Sequence, residues 1–458
     1  MISLTSDELL RLLNEESPDF AQPSPAMIPW KADGVSTDSR SVDAGQLFIP
    51  LIGEHFDGHE YINMAFASGA SGVLTSREPM AGMPCIHVPD TRKALQRLAA
   101  AYRRMFSPVA VALTGSVGKT TTKELTAAVF AAKYETLSTI GNLNNDIGLP
   151  LTLLRLTRTH EAAVLEMGMS HLGEISLLTR LARPDIAIIT NIGTSHIGNL
   201  GSQENICRAK LEILEGLRDG GTVVLNGDDP FLKKAVIPAK FRTVYFAIDD
   251  PAADVRAENI VTCDEYSTFD ILWQGERYPA RVNIAGRHNV FNGLAAFTAG
   301  VMGGVEPSAA AAALETVQPK GMRQRIVTMG GCTVIEDCYN ANPDSMRAAL
   351  RVLGDYKGRR RIALLGDMLE LGDYADNAHT EAGRQAAAAA DILVSVGSFS
   401  GRMADGAAEC GMKPENIFTP ERADVTALLK SILRTGDVLL VKGSRGMRME
   451  EFLQNLFD

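Results

Sequence analysis

From Thr114 to Thr121 the chain reads T-G-S-V-G-K-T-T, a glycine-bounded bend closed by a lysine and two hydroxyls. The apolar run Val109 to Leu113 before it predicts a buried strand, and the sequence after it predicts a helix. A strand, a tight bend and a helix start gather backbone N–H groups and the positive helix end around one anion. Gly115, Ser116, Val117, Gly118 and Thr121 form that cradle, Lys119 reaches the outer phosphates of ATP, and the Thr120 hydroxyl is placed as a Mg²⁺ ligand. The usual pattern has one more glycine, five residues before Gly118, where this chain has Leu113. Gly115 and Gly118 still allow close backbone approach. Glu166 ends a second apolar run, A-A-V-L-E, where nucleotide-binding folds hold a metal-binding carboxylate. Taken alone, such a glutamate is as easily a surface residue.

These residues need a sheet to position them. Between Val109 and Gln318, runs such as V-A-V-A-L-T-G, D-I-A-I-I-T-N and G-T-V-V-L-N alternate with helical segments. Continuous aliphatic strands with helical crossovers predict a parallel sheet covered on both faces. The rhythm restarts with C-T-V-I-E-D, R-R-I-A-L-L-G and G-D-V-L-L-V, which predicts a Rossmann-like doubly wound sheet. Before position 90, G-Q-L-F-I-P-L-I-G and G-V-L-T-S predict a small α/β unit. A chain of 458 residues exceeds what one core supports. The reading is therefore α/β with three domains: a small N-terminal one over 1–90, a central P-loop ATPase domain over 91–318 and a C-terminal one over 319–458.

A net charge of -10 gives no basic field for nucleic acid, so an anionic ligand has to be bound locally. Six cysteines without a C-x-x-C pair predict reduced thiols and no zinc site. The N-terminus carries no basic start followed by an apolar run, and no apolar stretch is long enough to span a bilayer. A cytoplasmic monomer without membrane insertion is expected.

The bend, together with D-S-R-S-V-D-A-G-Q-L-F-I-P-L-I-G, T-I-G-N-L-N-N-D-I-G-L-P, T-N-I-G-T-S-H-I-G-N-L-G and G-R-H-N-V-F-N-G-L-A-A, resembles the Mur ligase family along nearly the whole chain. These are ATP-dependent ligases of peptidoglycan precursor synthesis, with folylpolyglutamate synthase among their relatives. The strings D-C-Y-N-A-N-P-D-S-M, L-L-G-D-M-L-E-L-G and V-K-G-S-R-G-M look like the branch that adds D-alanyl-D-alanine to UDP-N-acetylmuramoyl-tripeptide. The D-[DN]-P-R acceptor motif of the branch adding the third residue is absent. Another Mur-type or folylpolyglutamate-type amino acid ligase is the alternative, with a P-loop kinase further off.

The resemblance implies an acyl phosphate route and roles for further residues. Thr120 and Glu166 would hold one Mg²⁺. His196 would bind a second, and Lys210 would carry a carbamate that supplies oxygen ligands. By composition alone His196 is a loop residue and Lys210 a solvated helix lysine. Asn292 would contact adenine, although helix capping and packing explain Asn289 and Asn292 equally well. Arg323 and Asp337 would meet phosphates and ribose, or form a plain interdomain ion pair. Tyr339, Asn340, Lys442, Ser444 and Arg445 are candidates for ATP edges or the dipeptide, and Asn142 and Asn145 for the peptide substrate. Ser39, Arg40 and His59 are candidates for the uridine nucleotide, weighed evenly against ordinary turn roles.

Overall fold

The computed structural model describes residues 1–24, 29–78, 83–319 and 321–457. Its centre is a nine-stranded sheet in which Val109–Thr114 lies between Ala162–Glu166 and Ile186–Ile189, parallel to both. The chain leaves Val109–Thr114 toward one edge, returns through Ala162–Glu166, and then crosses to the other side. That switch opens a crevice at the carboxyl ends of the strands. Alternate residues of the central strand serve two cores. Val111 and Leu113 pack with Leu125, Val129 and Phe297 on one face, whereas Ala112 packs with Leu165, Ile175 and Ile206 on the other. Helices on both faces explain why these strands read as unbroken apolar runs. On the first face, the helix Arg287–Met302 approaches Lys119–Ala131 closely enough that a methyl group on Gly300 would lie 2.2 Å from Val129 Cγ1.

The expected all-parallel central sheet is corrected at one edge. Ser267–Trp273 and Glu276–Val282 are antiparallel to their neighbours. They are joined by Gln274 and Gly275, both left-handed (φ 53° and 85°), which is the geometry of a two-residue hairpin. Ser267–Trp273 alternates buried and half-buried residues, the mark of a strand with one covered face.

The C-terminal sheet has six strands, with Val438–Lys442 inserted between Cys332–Glu336 and Arg361–Gly366, parallel to both. Arg325–Met329 pairs antiparallel at its edge. The N-terminal unit is a five-stranded sheet running from Gln22–Pro23 to Gly34–Ser36. The helix Thr91–Arg103 joins it to the centre. Buried Tyr102 accepts from the Ile2 N–H and donates to Leu156 O, while buried Arg103 donates to Ala182 O. All six cysteines are free. Among the described residues no helix is long and apolar enough to cross a membrane.

Candidate active site

The apparent gap in the glycine pattern has a geometric answer. Leu113 sits inside the central strand, paired with Glu166 on one side and Ile188 on the other. The bend starts only after Thr114, so a glycine at position 113 would fall within the sheet rather than in the loop. Gly115 faces Thr190, whose Oγ1 would be 1.8 Å from a side chain there. Gly118 is left-handed at φ 83° and caps the helix that starts at Lys119. The loop is pinned by its neighbour: Ser116 N donates to Asn191 O and Val117 N to Asn191 Oδ1. Lys119 Nζ folds over the bend onto Gly115 O at 2.7 Å. Burial lowers its pKa, Glu166 opposes that, and Arg323 adds to it.

A methyl group at Gly118 would stand 2.4 Å from Asn292 Oδ1. Gly118→Ala therefore combines that clash with about 1–2 kcal/mol of left-handed strain. Affinity for ADP, titrated calorimetrically, is expected to fall by about tenfold or more. Unchanged affinity would mean that the bend does not hold the nucleotide.

Lys119, Thr120, Glu166, His196, Arg323 and Tyr339 line one cavity of about 680 Å³, together with Asn142, Asn145 and Asn340. Glu166 is buried to 1% exposure. Its Oε1 accepts from Asn144 Nδ2 at 2.7 Å, and its Oε2 is buried without any hydrogen-bond partner. A buried carboxylate oxygen in that state is costly unless a cation completes it. Together with the Thr120 hydroxyl it is the hard oxygen donor set that suits Mg²⁺. Among the described residues, no three His, Cys, Asp or Glu side chains converge as a ready-made metal cage. Asn144 was not singled out from the sequence. Three asparagines in G-N-L-N-N-D look alike there, and only the fold selects the one facing Glu166. Asn145 Oδ1 instead accepts from Gly148 N, the first residue of the helix Gly148–Leu153.

His196 has a left-handed backbone (φ 62°), and its Nδ1 lies 2.8 Å from Glu370 Oε2, off the line of a good hydrogen bond. Burial pushes its pKa down, Lys119 adds to that, and Glu370 opposes it. Lys210 is 1% exposed, and burial lowers its pKa well below the usual lysine value. Of the charges acting on it, Lys119 pushes the same way and only Cys207 pushes up. The plain expectation of a solvated helix lysine is thus overturned: the side chain is a buried amine held toward its neutral form. Neutral amines are the form that takes up CO₂. Lys210 lines neither cavity at the bend.

A smaller cavity of about 160 Å³ lies across the bend, lined by Gly118, Thr121, Asn292, Asp337 and Lys442. Asn292 accepts from Thr122 Oγ1 and donates to Asn289 Oδ1, so the side chain is held by packing partners while it also lines this cavity. Arg323 stacks on the Tyr339 ring at 4.0 Å and does not pair with Asp337. The ion pair to Asp337 comes from Lys442, 1% exposed, at 2.6 Å. Ser444 is buried and accepts from Leu369 N, and Arg445 turns outward to Glu450. Ser39, Arg40 and His59 lie away from both cavities. Arg40 is exposed and pairs with Asp38, whereas buried His59 contacts Asp57 through Nδ1 and accepts from Ser76 N through Nε2.

Three family models cover the chain: the Mur ligase family catalytic domain over 31–103, the Mur ligase middle domain over 113–300, and the Mur ligase glutamate ligase domain over 322–445. The chain is 40% identical to the UDP-N-acetylmuramoyl-tripeptide--D-alanyl-D-alanine ligase of Bacillus subtilis, over 93% of each. It superposes on crystal structure I of MurF from Acinetobacter baumannii with a TM-score of 0.86 and 31% identity, over 98% of each chain. A MurF ligase from Thermotoga maritima in complex with ADP matches with a TM-score of 0.81 and 26% identity, over 92% of this chain and 96% of that one.

Proposed function

The chain belongs to the Mur ligase family, and we propose that it joins D-alanyl-D-alanine to UDP-N-acetylmuramoyl-tripeptide with conversion of ATP to ADP, in peptidoglycan precursor synthesis. One observation carries the placement of the chemistry. A single cavity holds the lysine of the bend, a buried carboxylate with an uncompleted oxygen, and residues of the C-terminal domain such as Arg323, Tyr339 and Asn340. An amide does not form from a carboxylate and an amine in water without activation. In the proposed reaction a carboxylate oxygen of the tripeptide attacks the γ-phosphorus, and ADP leaves. The amine of the dipeptide then attacks the acyl phosphate carbon, and phosphate leaves from the tetrahedral intermediate.

The first step brings two anions together, so fixed positive charge has to stand where they meet. Lys119 provides it on the side of the bend, and Arg323, with its guanidinium over the Tyr339 ring, provides it from the third domain. Thr120 and Glu166 would hold one Mg²⁺, and His196 with a carbamate on Lys210 would hold a second. Bound there, the ions would neutralise phosphate charge. Asn292 and Asp337 are assigned to adenine and ribose on the strength of the smaller cavity. The dipeptide falls to the Tyr339–Asn340 side of the larger one. Burial of Lys442 beneath Asp337 gives it a positioning part rather than a dipeptide contact. The first domain retains the uridine nucleotide, with exposed Arg40 the freest of its three candidates.

The reading is tested by incubating the protein with ATP, Mg²⁺, UDP-linked tripeptide and D-alanyl-D-alanine. ADP release is expected to depend on the UDP-linked peptide, and mass spectrometry should find the peptide extended by the dipeptide. Phosphate release with neither acceptor present would contradict it.

A further inference from the structure

The larger cavity runs past the reacting groups to the helix Thr91–Arg103, where Arg92 forms part of its wall. Asp146 lies beside Arg92, with 3.6 Å between its Oδ2 and Arg92 Nη1. That approach is longer than a hydrogen bond, so neither charge is committed to the other. Side-chain exposures of 48% and 32% leave both within reach of a ligand. The other charged groups of the lining already have tasks. Lys119, Glu166, His196 and Arg323 stand at the reacting end, and Glu174 Oε2 accepts from Ser170 N at 2.6 Å. Phosphoryl transfer leaves Arg92 and Asp146 over.

Asp146 is held in place by Gln96, whose Nε2 donates to its backbone O and its Oδ2, both at 3.1 Å. It also follows two residues after Asn144, the partner of Glu166. Two residues of chain span at most about 7 Å. A peptide whose reacting carboxylate stands at Glu166 therefore has its last side chain within reach of Asp146. Leu172, 39% exposed, lines the same cavity and offers apolar surface to the methylenes of such a side chain.

We propose that Arg92 and Asp146 are specificity-determining residues that read the side chain of the third peptide residue, and that they select one ending in an ammonium and a carboxylate on the same carbon. A carboxylate alone would gain Arg92 and be repelled by Asp146, and an ammonium alone would meet the reverse. A head group with both charges satisfies both, its carboxylate on the guanidinium fork and its ammonium on Asp146. Diaminopimelate ends in this way, whereas lysine ends in an ammonium only. In diaminopimelate five carbon–carbon bonds, on the order of 6 Å, separate the reacting carboxyl carbon from the distal centre, comparable with the reach from Asn144 to Asp146. This inference rests on the ligase reading above and names its third residue.

UDP-linked tripeptides ending in meso-diaminopimelate and in L-lysine test it on the full-length protein. With ADP and Mg²⁺ present, calorimetry should find the diaminopimelate peptide bound about tenfold or more tightly than the lysine peptide, the scale of one charge-assisted contact. Arg92→Met, at a half-exposed position, should shrink that preference to about twofold. In ligation the loss should fall on KM for the diaminopimelate peptide far more than on kcat. Arg92→Lys, which keeps the charge without the fork, should retain part of the preference. An equal loss for the two peptides would put Arg92 on a carboxylate that they share and overturns the proposal, as does a wild type that binds both alike. Should the wild type make no ligated product from either peptide, the ligase reading fails, and the calorimetric comparison still decides the part of Arg92.

Discussion

Lys119→Met protein is expected to stay folded and to form no ADP above about a thousandth of the wild-type rate, the upper range for removing one preorganised charge. The side chain leans over the bend with its ammonium on Gly115 O. Burial already disfavours that charge, so an apolar chain of similar length costs the fold little. What would vanish is the cation proposed to stand between the triphosphate and the peptide carboxylate. Arginine is no substitute, since its planar fork does not reproduce the compact ammonium that donates to both the Gly115 and Ser116 carbonyls. ADP formation in a coupled assay, set beside ADP affinity, separates lost chemistry from lost binding. A rate above about one tenth of the wild type would shift the task to Arg323.

Lys210→Met is expected to lose at least about 100-fold in rate while gaining about 1 kcal/mol in stability. The two effects share one cause. An amine buried without a carboxylate partner burdens the folded state and has its pKa driven down from 10.5. Between the lowered folded pKa and 10.5, the unfolded chain binds more protons than the folded one. In CO₂-free buffer the wild type should therefore gain stability relative to Lys210→Met as pH rises through that window. Below the folded pKa its handicap is complete. Denaturant midpoints across pH check the sign, and added bicarbonate should raise the activity of the wild type alone. Full activity in Lys210→Met would refute the carbamate.

The central strands and the phosphate bend were legible because their signals are local: unbroken aliphatic runs, glycines at fixed spacing and a helix start. Leu113 looked like a defect only because a motif counts residues, whereas the sheet decides where the loop begins. The antiparallel edge was missed although Gln274-Gly275 and the alternation of Ser267–Trp273 were both in view. The aliphatic rhythm around them dominated the reading. Contacts between distant segments were beyond reach. Nothing in the sequence pairs Asn144 with Glu166, Lys442 with Asp337, or Gly198 with Gly372. The burial of Lys210 was equally hidden, because its helix has polar neighbours in Gln203, Glu204 and Arg208.

Glu166, Leu113 and Ile188 stand in one row across three parallel strands. Neighbouring strands keep a spacing of about 4.8 Å, so the outer two members of the row are about 10 Å apart. The sheet thereby acts as a ruler that no loop can stretch. Its graduations are also discrete, because a slip by one residue would turn Glu166 to the opposite face. Errors in folding this enzyme are for that reason whole steps: a molecule either measures the gap correctly or lacks the carboxylate altogether.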